Sequence, residues 1–253
     1  NTTGCNKVIS WLFRNNKYTR FIVLTKSRTG SNFLVNSLQS HPNIKVFGEL
    51  FRGGVDDAVK TSILNSVEDY FQDHIFNRYG REIKAVGFKI FYKHPVYDHT
   101  GKVWQCLLSM EDLKVIHLRR ENILKALVSM KIAKKTDIWK ESNESKDIIS
   151  KRIELTVDEC RDYFNQTRKW EEGANEKFAG NSMLELTYEE LTSDYQEKMR
   201  SIQEFLGVEP IELQPKTAKQ NPETLSELIV NYEELKRYFS GTEWEVFFQP
   251  DAQ

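Results

Sequence analysis

Short unbroken apolar runs alternate with longer amphipathic stretches along most of this chain. Phe21 to Leu24 is the first such run, the pattern of a strand buried on both faces of a parallel sheet. Polar, basic and small residues fill Thr25 to Asn32. Phe33, Leu34, Val35 and Leu38 then recur at helical spacing, with the Thr29 and Ser31 hydroxyls in reach as caps. Ile44 to Phe47 reads as a second strand, closed by Gly48-Glu49. Residues 55–79 carry one helical pattern (Val59, Ile63, Val67, Tyr70, Phe71, Ile75), with Gly80 as its stop. Ala85 to Phe91, Val115 to Leu118 and Met183 to Leu186 are three further strands. Amphipathic segments follow at 102–110, from Ile123, at about 151–178, and around Met199, Ile202, Phe205 and Leu206, closed by Gly207.

Strands that alternate with helices predict an α/β fold, a three-layer parallel sheet flanked by helices. The 253 residues suit one domain, 1–253, with its core at about 20–248. Residues 1–19 read as a peripheral lead-in with a small apolar helix face (Val8, Ile9, Trp11, Leu12, Phe13). Residues 134–150 are charged and polar around Trp139 and read as a mobile loop. The tail from Lys216 to Gln253 holds helical pieces and aromatic residues, without repeats or low complexity.

Net charge narrows the partners. A formal charge of −1 argues against a general nucleic-acid binder, so any anion recognition must be local. Three scattered cysteines show neither metal-ligand spacing nor a disulfide framework. No apolar run is long enough to span a bilayer and no secretory signal is visible, which points to the cytoplasm. The chain begins at Asn1, so a luminal, Golgi-type location would require an upstream anchor to have been trimmed.

Candidate chemistry gathers at strand ends. The segment Lys26-Ser27-Arg28-Thr29-Gly30-Ser31-Asn32 joins a strand to a helix start, where backbone N–H groups and the helix dipole favour an anion. It lacks the G-x-x-x-x-G-K-[ST] pattern of nucleoside triphosphatases. Glu49 stands at the next strand end, where α/β folds place their chemistry, or else pairs with Arg52 in solvent. Lys89 lies inside an apolar strand, so its ammonium either snorkels to solvent or meets an anion. Arg119 and Arg120 end a fourth strand ahead of a helical Ser129; they form a second anion pocket or pair with carboxylates such as Glu121. Two basic strand ends fit a ligand with two phosphate groups.

Taken with these motifs, the chain resembles the 3′-phosphoadenylyl-sulfate (PAPS)-dependent sulfotransferases. Arg28-Thr29-Gly30-Ser31-Asn32 is similar to their 5′-phosphosulfate loop. Arg120 with Ser129, and Arg119 as a neighbouring candidate, matches the arginine and serine that grip the 3′-phosphate. Leu184 to Leu191, Ile202 to Gly207, Lys219 to Glu223 and Gly241 to Trp244 resemble bacterial members acting on carbohydrates, lipids and small metabolites. The resemblance implies a P-loop-like fold and sulfuryl transfer from PAPS to a hydroxyl or amine of such an acceptor, giving 3′,5′-ADP without a metal. Lys26 to Asn32 would cradle the 5′ end, with Arg28 at the leaving phosphate and Lys89 on the sulfonyl oxygens. Eukaryotic cytosolic members carry Lys-x-His on the third strand, where the triplet here is Lys89-Ile90-Phe91; the resemblance to bacterial members, which use a glutamate after the second strand, implies Glu49 as the base, with His94 as a second candidate. Two other readings stay open: a different nucleotide-dependent phosphotransferase, and a catalytically silent nucleotide- or glycan-binding domain.

Overall fold

A computed structural model describes residues 18–137, 148–215 and 223–249. Its strands are β1 (Thr19–Thr25), β2 (Ile44–Glu49), β3 (Ala85–Phe91), β4 (Lys114–Arg119) and β5 (Met183–Thr187). They form one parallel sheet in the order β2-β3-β1-β4-β5. The helix α1 (Ser31–Leu38) follows β1, and α2 (Asp57–Asn65) and α3 (Val67–Tyr70) follow β2. Next come α4 (Lys102–Leu108) after β3, then α5 (Ile123–Thr136), α6 (Ile148–Lys151) and α7 (Val157–Lys177) between β4 and β5. Beyond β5 lie α8 (Tyr188–Ser193), α9 (Tyr195–Leu206), α10 (Leu225–Leu228) and α11 (Tyr232–Phe239).

Strand alternation divides the core. Phe21 and Val23 of β1 face a cluster with Leu34, Val35 and Leu38 of α1 and Met199, Ile202 and Leu206 of α9. Ile22 and Leu24 face the other way, into Phe51, Phe71, Phe76, Phe88, Leu107 and Phe178. β1 and β3 are buried on both sides, which is why they read as continuous apolar runs. Each such side chain contributes roughly 1.5–3 kcal/mol of hydrophobic stabilisation. A third cluster lies off the sheet, where α5, α7, α10 and α11 close around Phe164, Phe239, Trp244 and Phe247. Phe164 and Phe247 meet edge to face at 5.0 Å. The aromatic tail therefore covers α5 and α7.

Four sequence expectations need correction. The pattern over 55–79 is three pieces rather than one helix: Ser66 turns extended and caps α3 by accepting from Asp69 N, and a π-helical turn over Phe71–Ile75 ends the run before Gly80. The long helix starts at Val157 rather than near 151, because Thr156 caps it while Ile153 bridges to Ile229. The ends of the 134–150 loop are helical, residues 134–136 in α5 and 148–150 in α6, and 138–147 lie outside the described residues. The Thr29 and Ser31 hydroxyls do not cap α1, whose N-cap is Gly30. Most of the lead-in, with its apolar face from Val8 to Phe13, also lies outside the described residues. No described helix is long and apolar enough to cross a membrane.

Candidate active site

From β1 the chain moves to β2 and β3 on one flank, then crosses to β4 on the other. The loops after β1 and β4 therefore open onto the point where strand order reverses, the crevice in which open α/β sheets bind ligands.

The hydroxyls of Thr25 and Thr29 tie down the loop after β1. Thr25 Oγ1 donates to the Leu118 carbonyl of β4 at 2.7 Å and lies 2.6 Å from Thr29 Oγ1, while Thr29 Oγ1 bonds the Lys26 carbonyl at 2.8 Å. Bending back within so few residues puts Arg28 at φ 69 and Gly30 at φ 78. Gly30 is required twice over, since an ideal Cβ there would also fall 2.1 Å from Cδ2 of Tyr188. Arg28 has no such freedom, and a non-glycine residue in the left-handed region is a mark of local strain.

That conformation turns Arg28 toward β4 and α5. Its Nε donates to Ser129 Oγ at 2.9 Å, and its carbonyl accepts from Arg120 at 3.0 Å. Arg120 also lies over the Tyr188 ring at 5.1 Å and 3.8 Å from a Glu189 oxygen. Burial, then the neighbouring Arg120 charge, lowers the Arg28 pKa from its ordinary value. Two guanidiniums and a serine thus converge at the end of β4, a donor set suited to a phosphate.

A second group forms at the ends of β2 and β3. Gly48 is the extra residue of a bulge, so Phe47 pairs with Phe88 but Glu49 pairs with Lys89. The bulge sets Glu49 beside Lys89, and Lys89 Nζ lies 2.9 Å from Glu49 Oε1. The same ammonium donates to Asn32 Oδ1 in the first turn of α1 at 2.5 Å. His94 is buried close by, its ring 4.8 Å from that of Phe91. Burial drives its pKa down to about 4 against the opposing pull of Glu49, so the imidazole is neutral near pH 7.

Lys26 points elsewhere. Its ammonium bonds the Thr167 hydroxyl of α7 and sits 3.2 Å from the Tyr163 ring centroid and 5.2 Å from that of Trp170. This is a cation caged by aromatic faces. Burial lowers its pKa to about 7, partly offset by Glu171, whose own carboxyl burial raises to about 7. Arg119 also departs from the Arg28 group: it bonds Glu185 at 3.1 Å, and Glu185 lies 3.5 Å from the buried His117. A cavity of about 360 Å³ opens there, with Arg119, Arg120, Arg168 and Glu171 in its wall.

The structure thus joins Arg28, Arg120 and Ser129 in one group, and Glu49, Lys89 and Asn32 in another with His94 nearby. Ser27 and Ser31 stay in the loop and its helix start, while Lys26 and Arg119 turn to α7 and β5. Sequence reasoning missed Tyr188, Tyr163, Thr167 and Glu171. For the α7 residues a signal existed: Tyr163, Thr167 and Trp170 recur at helical spacing beside the apolar stripe of Cys160 and Phe164. Among the described residues, no three His, Cys, Asp or Glu side chains are grouped to hold a metal.

Comparisons with known proteins bear on the family. Nodulation protein H of Rhizobium tropici is 27% identical over 240 residues, covering 91% of this chain and 93% of the relative. Nodulation protein H of Rhizobium meliloti strain 1021 is 24% identical over 90% and 94% of the two chains. Among solved structures, a sulfotransferase from Alicyclobacillus acidocaldarius aligns over 87% of this chain and 90% of its own, at 16% identity and TM-score 0.48. Mouse sulfotransferase SULT7A1 complexed with PAP aligns over 80% and 65%, at 14% identity and TM-score 0.42. The family model of the sulfotransferase domain matches residues 18–244, and the chain belongs to that family.

Proposed function

We propose that this chain transfers a sulfuryl group from PAPS to a hydroxyl-bearing carbohydrate, lipid or small metabolite, releasing 3′,5′-ADP. The observation that carries the reading is the convergence of Arg28, Arg120 and Ser129 beside a glycine-bearing loop at the β1–β4 crevice. One end of a doubly phosphorylated nucleotide fits the loop and the start of α1; the other fits the Arg120–Ser129 group. Tyr188, packed on Gly30 and beneath Arg120, supplies a flat aromatic wall between them.

The donor supplies an activated sulfuryl group on a phosphate leaving group. Glu49 takes the proton of the acceptor hydroxyl as the new O–S bond forms. Lys89, steadied by Glu49 and Asn32, offers its ammonium to the sulfonyl oxygens. Loop N–H groups and Arg28 stabilise the negative charge that the phosphate gains as the old S–O bond breaks.

The test has two stages. 3′,5′-ADP should raise the melting temperature where ATP with magnesium does not. Label should then pass from [35S]PAPS to a hydroxyl acceptor in a screened panel. Stabilisation by ATP–magnesium alone would replace this reading with a phosphotransferase.

A further inference from the structure

We propose that Tyr163 of α7 is a further ligand of the nucleotide's 3′-phosphate, its hydroxyl donating to a phosphate oxygen while its ring face holds Lys26. The assignment rests on the two-phosphate reading above and adds to it a residue from an element outside both basic strand ends.

Placement comes first. The Lys26 ammonium lies 3.2 Å from the Tyr163 ring centroid, which pins the ring against the turn that carries Arg28. The same lysine bonds Thr167, one helical turn on, and Thr167 bonds back to the Tyr163 carbonyl at 2.6 Å. These contacts fix where the phenol can point. Its hydroxyl oxygen is buried and has no hydrogen-bond partner among the described residues. Tyr163 also senses the charges of Arg120 and Arg28, and acts in turn on Arg28, so the phenol belongs to their neighbourhood.

Chemistry then selects the occupant. Arg28 and Arg120 are donor-only groups with no lone pair to accept the phenolic proton, and the Lys26 nitrogen lies over the ring face rather than at the hydroxyl. Burial raises the Tyr163 pKa far above its ordinary value, so the proton stays on the oxygen. A buried donor set among cations is satisfied by an acceptor-rich anion. The 3′-phosphate is that anion, because Arg120, placed with Ser129 at that phosphate, acts on Tyr163 more strongly than Arg28, which serves the leaving phosphate. Lys26 gains a role by the same geometry: it braces the ring.

The experiment is calorimetric titration of wild type and Tyr163→Phe with 3′,5′-ADP and with 5′-AMP. Phenylalanine keeps the face under Lys26 and removes only the hydroxyl. Wild type should prefer 3′,5′-ADP, and Tyr163→Phe should bind it about tenfold or more weakly, with 5′-AMP affinity unchanged. If the variant binds both nucleotides as wild type does, or weakens equally toward both, the assignment is overturned and the nucleotide reading stands. If wild type itself shows no preference, the two-phosphate reading falls and Tyr163 with it. A second measurement needs no variant affinity. In full-length protein labelled with 13Cζ-tyrosine, the Tyr163 resonance should shift on adding 3′,5′-ADP and not on adding 5′-AMP. A resonance indifferent to both overturns the assignment.

Discussion

Lys89 Nζ bonds Asn32 Oδ1 at 2.5 Å and Glu49 Oε1 at 2.9 Å, so three separate elements meet at one ammonium whose side chain is only 3% exposed. The Glu49–Lys89 pair depends on the bulge at Gly48, which brings the carboxylate into register with the lysine. Glu49→Gln keeps the shape and removes the proton acceptor. Turnover should fall about 10²–10⁴-fold while 3′,5′-ADP affinity is retained. Near-normal turnover measured with saturating donor would remove Glu49 from the role of base.

His94 is the competing base, and its environment opposes that role. A pKa of about 4 makes it a poor proton acceptor near neutrality. His94→Asn should therefore keep turnover within a few-fold at pH 7. The same depression has a stability consequence. It contributes stability above the ordinary value of 6.5 that is lost as pH falls toward 4, because the unfolded chain takes up the proton first. In His94→Asn the melting temperature should decline less steeply between pH 6.5 and 4. An unchanged slope, with a large loss of turnover, would reverse the assignment of the base.

Arg120 bonds the Arg28 carbonyl and so supports the turn, and under the proposed reading it also holds the anion. Arg120→Ala should remove most of the preference for 3′,5′-ADP over 5′-AMP, a loss of roughly 1.5–3 kcal/mol. Arg119→Ala should leave that preference in place, because Arg119 is engaged by Glu185. Equal losses in the two variants, read by calorimetry, would contradict the separation of the two arginines.

Gly30 answers to two constraints that a double mutant can separate. Gly30→Ala introduces both a left-handed non-glycine residue and a clash with Tyr188. The backbone part alone costs on the order of 1–3 kcal/mol. Tyr188→Ala removes the clash but not the backbone cost. The double variant should therefore be destabilised by less than the sum of the two single variants in urea unfolding. Strict additivity would mean that the ring moves aside freely.

How far the sequence foretold these features depends on how local each one is. The run Phe21 to Leu24 and the lysine inside Ala85 to Phe91 were legible because burial on both faces leaves a pattern in consecutive residues. The helix ends within 55–79 were not, since the apolar spacing continues across Ser66 while its hydroxyl caps a new helix. Lys26 and Arg28 look alike in sequence, two residues apart. Which of them faces the crevice is decided by Thr167, 141 residues beyond Lys26, on a helix that local spacing cannot bring to the loop. Arg119 and Arg120 part for a similar reason, because their partners, Glu185 for the one and the Arg28 carbonyl for the other, lie 66 and 92 residues away in the chain.

The buried charges on α7 give the last prediction. Burial holds the Glu171 carboxyl at about 7, above its ordinary 4.5, despite the opposing pull of Arg119, Lys26 and Arg168. A raised carboxyl pKa contributes stability that is full below 4.5 and is lost as pH rises through 7, because the folded state keeps a proton that the unfolded chain releases. Glu171→Gln stays neutral at every pH, so the variant should lack this loss, and its advantage over wild type should grow between pH 4.5 and 7. Removing the carboxylate also takes away the influence that raises the Lys26 pKa. Lys26 should then titrate below its present value of about 7, leaving the loop more readily neutral there. Melting temperature against pH tests the first part, and the 15Nζ shift of Lys26 tests the second. A Glu171→Gln curve parallel to that of wild type, with Lys26 unmoved, would show that the carboxyl is neither strained nor coupled to the loop.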